Sequence, residues 1–434
     1  MKKRIFISMH YMEIGGAETA LIGLLQALDY TKYDVDLFLH AHRGEMMQFI
    51  PKEVNLLPEI PVYAQIERPM KSVLLDGYFR MVAARLLAKY KTQRYREQNN
   101  IIETAAGLQY VADAVTPMLP PINPDVEYDL AISFLQPHNI VRDKVRAQKK
   151  ICWIHTDYSV VDINAELELP VWSAFDNVVS ISPDVTRTFL QVFPSLKDKI
   201  IEIENILSPA FVRGRADEFD ALSELARYNG GGGKCLYIIT IGRYCYQKNL
   251  ESIPFICLEL MNLLSIGRFS HAKNYDNVPD ICRRLNSALS LLPLSLSIKW
   301  FIIGYGGDEQ LIRNKITEAG MENHVIILGK RTNPYPYIKA CDIYVQPSRY
   351  EGKSVTVREA QMLCKPVVVT NYPTASSQIK DGVDGKILPM DNEGCAKGLA
   401  EFILNKELQE QIKEYLRTHD YGNVSEVEKL YKLV

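Results

Sequence analysis

The chain has 434 residues, 47% of them hydrophobic, and 24% are charged in near balance to a net −2 with pI near 6.5. That length exceeds one ordinary domain and suits two, each large enough to bury its own core. The even charge gives no global attraction to nucleic acid, so any membrane attraction must come from a local patch. The eight cysteines have no paired C-x-x-C spacing and lie mostly in apolar strands or helices, a pattern of reduced core thiols rather than of a zinc site or a disulfide framework. The opening MKKRIFISMHYM alternates like a first strand, and no run of eighteen apolar residues follows anywhere. A signal peptide and a spanning helix are not expected, which points to a cytoplasmic protein.

In chain order, RIFIS, a helical pattern from Ala17 to Leu28 and YDVDLFLH open a βαβ rhythm, which predicts a parallel sheet covered by helices. Gly15 and Gly16 stand between the first strand and first helix, where missing side chains would let backbone approach a diphosphate. A plain strand–Gly–helix turn explains them too. DVD at 34–36 has the spacing of a metal-binding D-x-D, yet it sits in an alternating strand and reads as structural. The segment 80–96, RMVAARLLAKYKTQRYR, is basic with an apolar stripe, suited either to an anionic membrane surface or to a solvated helix face. YDLAISF, KICWIH and NVVSIS continue the strands. His155 closes KICWIH and Asp157 lies two residues on, at a strand end, the position of the ligand crevice in parallel sheets. His155 is either a satisfied core histidine or a functional one; Asp157 orients it or an acceptor, or merely begins a turn. KIIEIENILS reads as the last strand of this half, and the four glycines at 230–233 mark a flexible connection. The expected domains are therefore 1–207 and 208–434.

The second half carries an internal repeat: residues 237–260 align without gaps on 262–285, at an offset of 25, sharing G-R-x4-K-N and P-x-I-C. Each copy reads as strand, basic loop and helix, so Arg243 and Lys248 in the first match Arg268 and Lys273 in the second. Strands recur at KWFIIG, HVIILG, CDIYVQP and PVVVT. Gly304, Gly306 and Gly307 follow the first of these, with either ligand approach or tight-turn geometry as their reason. NPYPY (333–337) follows the second, where it either shapes a base pocket beside Lys330 and Arg331 or forms an ordinary turn.

The most telling stretch is SRYEGKSVTVREAQMLCKPVVVTNYP, residues 348–373. Ser354 suits an N-cap, so the first N–H groups of the following helix, near Val355, Thr356 and Val357, lack intrahelical partners and favour an anion such as phosphate. Glu351 lies in the loop beside them and Glu359 about one turn inside the helix. Carboxylates so placed would repel a phosphate but accept hydrogen bonds from hydroxyls. Phosphate plus hydroxyls suggests a sugar nucleotide; a pair of solvated helix charges is the plainer reading.

These residues carry a resemblance. The E-x7-E of Glu351 and Glu359, the opening RIFISMHYMEIGGAE, IIGYGGDE at 302–309 and KPVVVTNYPTASSQIKDGVDG at 365–385 resemble, in that order, the retaining glycosyltransferases of family 4. The likeness is weakest from Pro51 to Tyr128. It implies the GT-B fold, two doubly wound Rossmann-like α/β domains facing a cleft, with an N-terminal acceptor-binding half and a C-terminal nucleotide-sugar-binding half, the final helix crossing back to the first domain. It implies transfer of a sugar from a nucleotide diphosphate-sugar to a hydroxyl of a lipid-linked or oligosaccharide acceptor, in polysaccharide or cell-surface glycan synthesis. By resemblance His155 contacts the donor sugar, Glu351 its hydroxyls and Glu359 the ribose, while the Arg and Lys of one basic loop neutralise the leaving diphosphate. The second copy, Arg268 and Lys273, is nearer to the family's sequence than Arg243 and Lys248. Gly16, Gly304, Gly306, Lys330, Ser354 and Val355 complete the expected donor site. No metal or cofactor is implied, and placement is cytoplasmic, at the inner membrane face where the acceptor is lipid-linked. A sugar-nucleotide epimerase or a phosphorylase of this fold, and a catalytically inactive sugar-nucleotide-binding scaffold, remain the alternatives.

Overall fold

In the computed structural model the described residues are 2–101, 104–159, 161–227, 236–241, 261–265, 298–307, 309–348 and 351–434. They form two compact units, Met1–Leu207 with Asn423–Val434, and Ser208–Gly422.

The first unit is built on a seven-stranded sheet: β1 (Lys3–Met9), β2 (Tyr33–Leu39), β3 (Asn55–Leu56), β4 (Tyr128–Ser133), β5 (Ala147–Ile154), β6 (Asn177–Ser180) and β7 (Ile200–Glu202), in the order β3-β2-β1-β4-β5-β6-β7. All pairings are parallel. The last five residues of both β1 and β2 are buried without alternation, because helices cover both faces of such a sheet. The order reverses between β1 and β4, so the carboxyl ends of these neighbours flank a switch-point crevice. Helix Gly16–Ala27 follows β1, and Gly23 within it lies against the Ile206 carbonyl, where an added Cβ would come within 1.9 Å of the oxygen.

Asn423–Val434 completes this unit. The Leu207 N–H donates to Asn423 Oδ1 at 2.9 Å, and the Glu204 N–H donates to Glu426 Oε2 at 3.0 Å. In the short helix Val427–Tyr431 the Tyr431 ring stacks on Tyr33 at 4.9 Å, its hydroxyl accepts the Asp29 N–H at 2.7 Å, and Leu430 is fully buried.

The second unit has another seven-stranded parallel sheet: β8 (Leu236–Ile241), β9 (Met261–Ser265), β10 (Ile298–Ile303), β11 (Val325–Gly329), β12 (Ile343–Gln346), β13 (Val367–Thr370) and β14 (Lys386–Leu388), in the order β11-β10-β9-β8-β12-β13-β14. Helices Glu309–Glu318, Asn392–Leu404 and Lys406–Thr418 supply Ile312, Leu399, Phe402 and Ile412 to a core shared with Trp300, Ile343 and Val345. β8 and β9 are the opening strands of the two repeat copies. Lys299 of β10 is registered with both Tyr237 of β8 and Asn262 of β9, the two residues that the 25-residue offset equates. β8 and β9 also pair with each other, Leu236 with Met261 and Tyr237 with Asn262, so both copies meet β10 in equivalent register. The loops carrying Arg243, Lys248, Arg268 and Lys273 lie outside the described residues.

Candidate functional site

The residues with the strongest chemistry surround helix Val355–Met362 of the second unit, which runs from just beyond β12 to β13. β12 delivers Gln346 and, two residues on, Ser348, both fully buried. Gln346 Nε2 donates to Glu351 Oε1 at 2.9 Å and to Ser348 Oγ at 2.8 Å, while Ser348 Oγ donates to the same carboxylate oxygen at 2.6 Å. The Thr374 hydroxyl fixes the Glu351 backbone, donating to its carbonyl at 2.6 Å. Glu351 is thus a held, buried acceptor, with 9% of its surface exposed, and the reading of it as a solvated helix charge fails.

Ser354 occupies the N-cap position in extended backbone, but its hydroxyl caps no helix N–H. Instead it meets the Thr356 hydroxyl at 3.1 Å, and Gln378 takes over the cap residue's backbone: the Ser354 N–H donates to Gln378 Oε1 at 3.0 Å, and Gln378 Nε2 donates to the Ser354 carbonyl. The Ser354 hydroxyl thus does not cap the helix, whose dipole makes its N-terminus attractive to an anion. Thr356 also reaches inward, accepting from the Tyr344 hydroxyl at 2.9 Å.

Glu359 faces the other way, into the unit. Only 2% of it is exposed, and its Oε1 accepts the Tyr335 hydroxyl at 2.8 Å. Burial pushes the Glu359 carboxyl up to about 7, against the opposing pull of the Tyr335 hydrogen bond and the positive charge of Arg215. Arg215, in helix Pro209–Ala216, is itself buried, with its guanidinium 5.7 Å from the Phe211 ring centre and 5.8 Å from that of Tyr335. Sequence reasoning passed over Arg215; the two arginines of FVRGRA, on a helix with an apolar start, were the available signal.

The polar side chains of the segment NPYPY are bonded within the unit. Tyr335 and Tyr337 are buried, and their hydroxyls are committed within the unit, Tyr335 to Glu359 and Tyr337 to Glu224 Oε2 at 2.6 Å. Asn333 Nδ2 donates to the Arg215 carbonyl at 2.8 Å and to Glu218 Oε2 at 2.7 Å. Arg331 pairs with Glu224 at 2.6 Å, and Lys330 Nζ lies 4.8 Å above the Tyr305 ring. The turn after helix Pro209–Ala216 brings Glu218, and helix Ala221–Ala226 brings Glu224, to this segment, and the two carboxylates satisfy its polar atoms. Beyond β10, the Gly304 N–H donates to the Gly329 carbonyl at 2.9 Å, tying the turn of Gly304 and Gly306 to the end of β11.

In the first unit, Gly15 is the extended N-cap of helix Gly16–Ala27, and a Cβ on Gly16 would meet nothing within 4 Å. Packing therefore does not require glycine there, and the space over the helix start is open. His155 follows β5, half-buried, with its ring 4.8 Å from that of Phe134. Asp157 begins a turn: its Oδ1 accepts the Ser159 N–H at 2.9 Å and the Ser159 hydroxyl at 2.8 Å. The DVD carboxylates diverge, Asp34 to Lys2 at 3.3 Å and Asp36 to the Tyr128 hydroxyl at 2.6 Å. Among the described residues no group of three His, Cys, Asp or Glu side chains is placed to hold a metal ion.

A crystal structure of Anabaena Alr3699/HepE in complex with UDP and glucose superposes with a TM-score of 0.63, covering 100% of this chain and 99% of that one at 14% identity. The chain has the GT-B fold. Within this GT-B chain, residues 259–419 match the model of the family Glycosyl transferases group 1. The N-acetylgalactosamine-N,N'-diacetylbacillosaminyl-diphospho-undecaprenol 4-alpha-N-acetylgalactosaminyltransferase of Campylobacter jejuni is 28% identical over 127 residues, 29% of this chain and 35% of that protein. The UDP-Gal:alpha-D-GlcNAc-diphosphoundecaprenol alpha-1,3-galactosyltransferase of Escherichia coli is 28% identical over 90 residues, 20% of this chain and 23% of that protein. The chain thus matches about a third or less of the length of these curated relatives.

Proposed function

We propose that this protein is a glycosyltransferase that moves a hexose-type sugar from a nucleotide diphosphate-sugar to an acceptor hydroxyl, with retention at the anomeric carbon, as in family 4. The observation that carries the proposal is the N-terminus of helix Val355–Met362, which the Ser354 hydroxyl does not cap, beside the held, buried Glu351. The family match over 259–419 and the two relatives' names, both of glycosyltransferases with a diphosphoundecaprenol-linked sugar, support it. The acceptor is then a lipid-linked or oligosaccharide glycan, and the setting is polysaccharide or cell-surface glycan synthesis.

As the glycosidic C–O bond breaks, negative charge grows on the β-phosphate and positive charge on the sugar ring. The N–H groups at Val355 and Thr356 and the cations of one basic loop would stabilise the departing diphosphate, because fixed dipoles need no reorganisation as charge develops. Arg268 and Lys273 are assigned that role over Arg243 and Lys248, since the family match begins at residue 259 and takes in the second copy alone. Gly304, Gly306 and Lys330 are assigned to the donor's nucleotide side, and Gly16 and His155 to the donor sugar. Glu351 would accept hydrogen bonds from sugar hydroxyls. Glu359 would hold the ribose by exchanging the Tyr335 hydroxyl for a ribose hydroxyl, one neutral donor for another. This chemistry calls for no metal or cofactor.

Thermal shift against a panel of UDP- and GDP-sugars tests the proposal, because a ligand that binds the folded state raises the midpoint by mass action. A matched sugar nucleotide should raise it and, with acceptor added, be consumed. An inactive scaffold is the second reading, favoured by the duplicated strand and basic loop, both copies of which meet β10 in equivalent register. Stabilisation without turnover, whatever acceptor is supplied, would select it.

A further inference from the structure

We propose that the outward face of helix Phe79–Asn99 docks on an anionic lipid surface. The helix has two faces with opposite fates. Met81 and Ala88 are buried on the inner one, which packs against helix Ala106–Val115; a Cβ on Gly107 there would lie 3.3 Å from Thr92. Small residues at Ala84, Ala88 and Thr92 allow that close approach. Tyr95 anchors the far end, its hydroxyl donating to the Ile163 carbonyl at 2.9 Å.

Phe79, Ala83, Leu86, Leu87 and Tyr90 recur at helical spacing on the opposite side. Phe79 is 67% exposed, Leu86 and Leu87 are each 51%, and Tyr90 is 62%; just before the helix, Leu75 is 77% exposed. Apolar surface of this size on one stripe is a mark of an interaction face rather than of a core.

Charge identifies the occupant. From Phe79 to Arg96 there are six basic residues and no acidic one, in a chain whose net charge is −2. Arg85 turns inward, donating to the Gln65 and Arg68 carbonyls at 3.0 and 2.6 Å. Arg80, Lys91 and Arg94 are exposed along one edge of the stripe and Lys89 along the other. A second copy set face to face would oppose these cations, and nucleic acid has no use for the aliphatic centre. An anionic bilayer interface meets both, lipid acyl boundary for Phe79, Leu86, Leu87 and Tyr90, headgroups for the cations. Among the described residues no helix is long and apolar enough to cross a membrane, so the helix would lie in the interface plane. The inference stands apart from sugar transfer, since lipid binding is measured without donor or acceptor.

The test is flotation of the full chain with vesicles of phosphatidylcholine alone or with added phosphatidylglycerol, at low and high salt. Binding should require phosphatidylglycerol and weaken at high salt. Leu86→Glu/Leu87→Glu should abolish it, and Arg80→Ala/Lys91→Ala/Arg94→Ala should weaken it about a hundredfold, at roughly 1 kcal/mol per cation. All are exposed positions, so circular dichroism and melting midpoint should match the parent chain; if the glutamate pair unfolds, the alanine triple decides. Equal partition onto both vesicle types, no partition onto either, unchanged binding by the folded variants, or self-association that the glutamate pair disrupts would each overturn the proposal.

Discussion

The Tyr335 hydroxyl donates to Glu359 Oε1 at 2.8 Å inside the second unit, and this bond holds a carboxyl whose burial pushes it up to about 7. The folded state therefore binds the Glu359 proton more tightly than the unfolded chain, where the group titrates near 4.5. Between those two pH values the native state carries more protons, so this group's contribution to stability falls as pH rises through the window, and the loss is complete above it. Glu359→Gln keeps the shape and stays neutral. It should match the parent near pH 4.5 and exceed it above pH 7, by at most about 3 kcal/mol for a shift of that size. Chemical denaturation at several pH values measures this; a pH-independent difference would contradict it.

Glu351 is predicted to separate stability from turnover. Glu351→Ala removes the acceptor of the Ser348 hydroxyl and one of the two acceptors of the Gln346 amide and should cost about 1–3 kcal/mol of stability. Glu351→Gln keeps an acceptor oxygen and should fold nearly as well, yet lower kcat/KM about ten- to a hundredfold through the lost charged hydrogen bond to the sugar. Turnover equal to the parent in the glutamine variant would remove Glu351 from the donor site.

The α/β architecture was legible from alternation alone, because strands such as RIFIS and KICWIH are apolar runs between helical patterns, and a parallel sheet buried on both faces demands such runs. Glu351, Ser354 and Glu359 were legible as one locality, since a strand end, a cap residue and a helix start follow each other without a gap. What each side chain does there was not. Glu359 turns inward because Tyr335 and Arg215 await it, and those partners lie 24 and 144 residues away in sequence, given by 359 − 335 and 359 − 215. The partners of NPYPY were not legible for the same reason: Glu218 and Glu224, which satisfy this segment, come from a turn and a helix distant in the chain. Ser354 shows the limit of local rules, as Gln378 replaces the hydroxyl in bonding the cap.

The convergence of the repeat copies on β10 predicts that one copy suffices. Deleting residues 242–266 joins Ile241 to Gly267 and retains the loop of Arg268 and Lys273; deleting 261–285 joins Leu260 to Asn286 and retains that of Arg243 and Lys248. The first deletion should preserve the cooperative unfolding transition and donor binding, and the second should preserve folding with weaker donor binding. Loss of cooperative unfolding in both would show that each copy is needed in the sheet.

Leu430, fully buried at the end of the chain, should matter to the first unit as a core residue. Leu430→Ala is expected to destabilise it by about 2–5 kcal/mol, the usual range for a truncated core leucine. Hydrogen exchange in β1 and β2 should rise accordingly; unchanged protection there would argue that Asn423–Val434 is dispensable for that fold.

Isothermal titration calorimetry of UDP and GDP against the parent chain and Val355→Pro tests the diphosphate site most directly. Proline is tolerated at the first helical position and lacks the N–H that would meet the phosphate. The parent should bind at least one of the two nucleotides, and the folded proline variant should bind it at least about tenfold more weakly, as the loss of one charged hydrogen bond requires. Heat-silent titrations of the folded parent with both nucleotides, or equal affinity in the two proteins, would contradict an anion site at this helix.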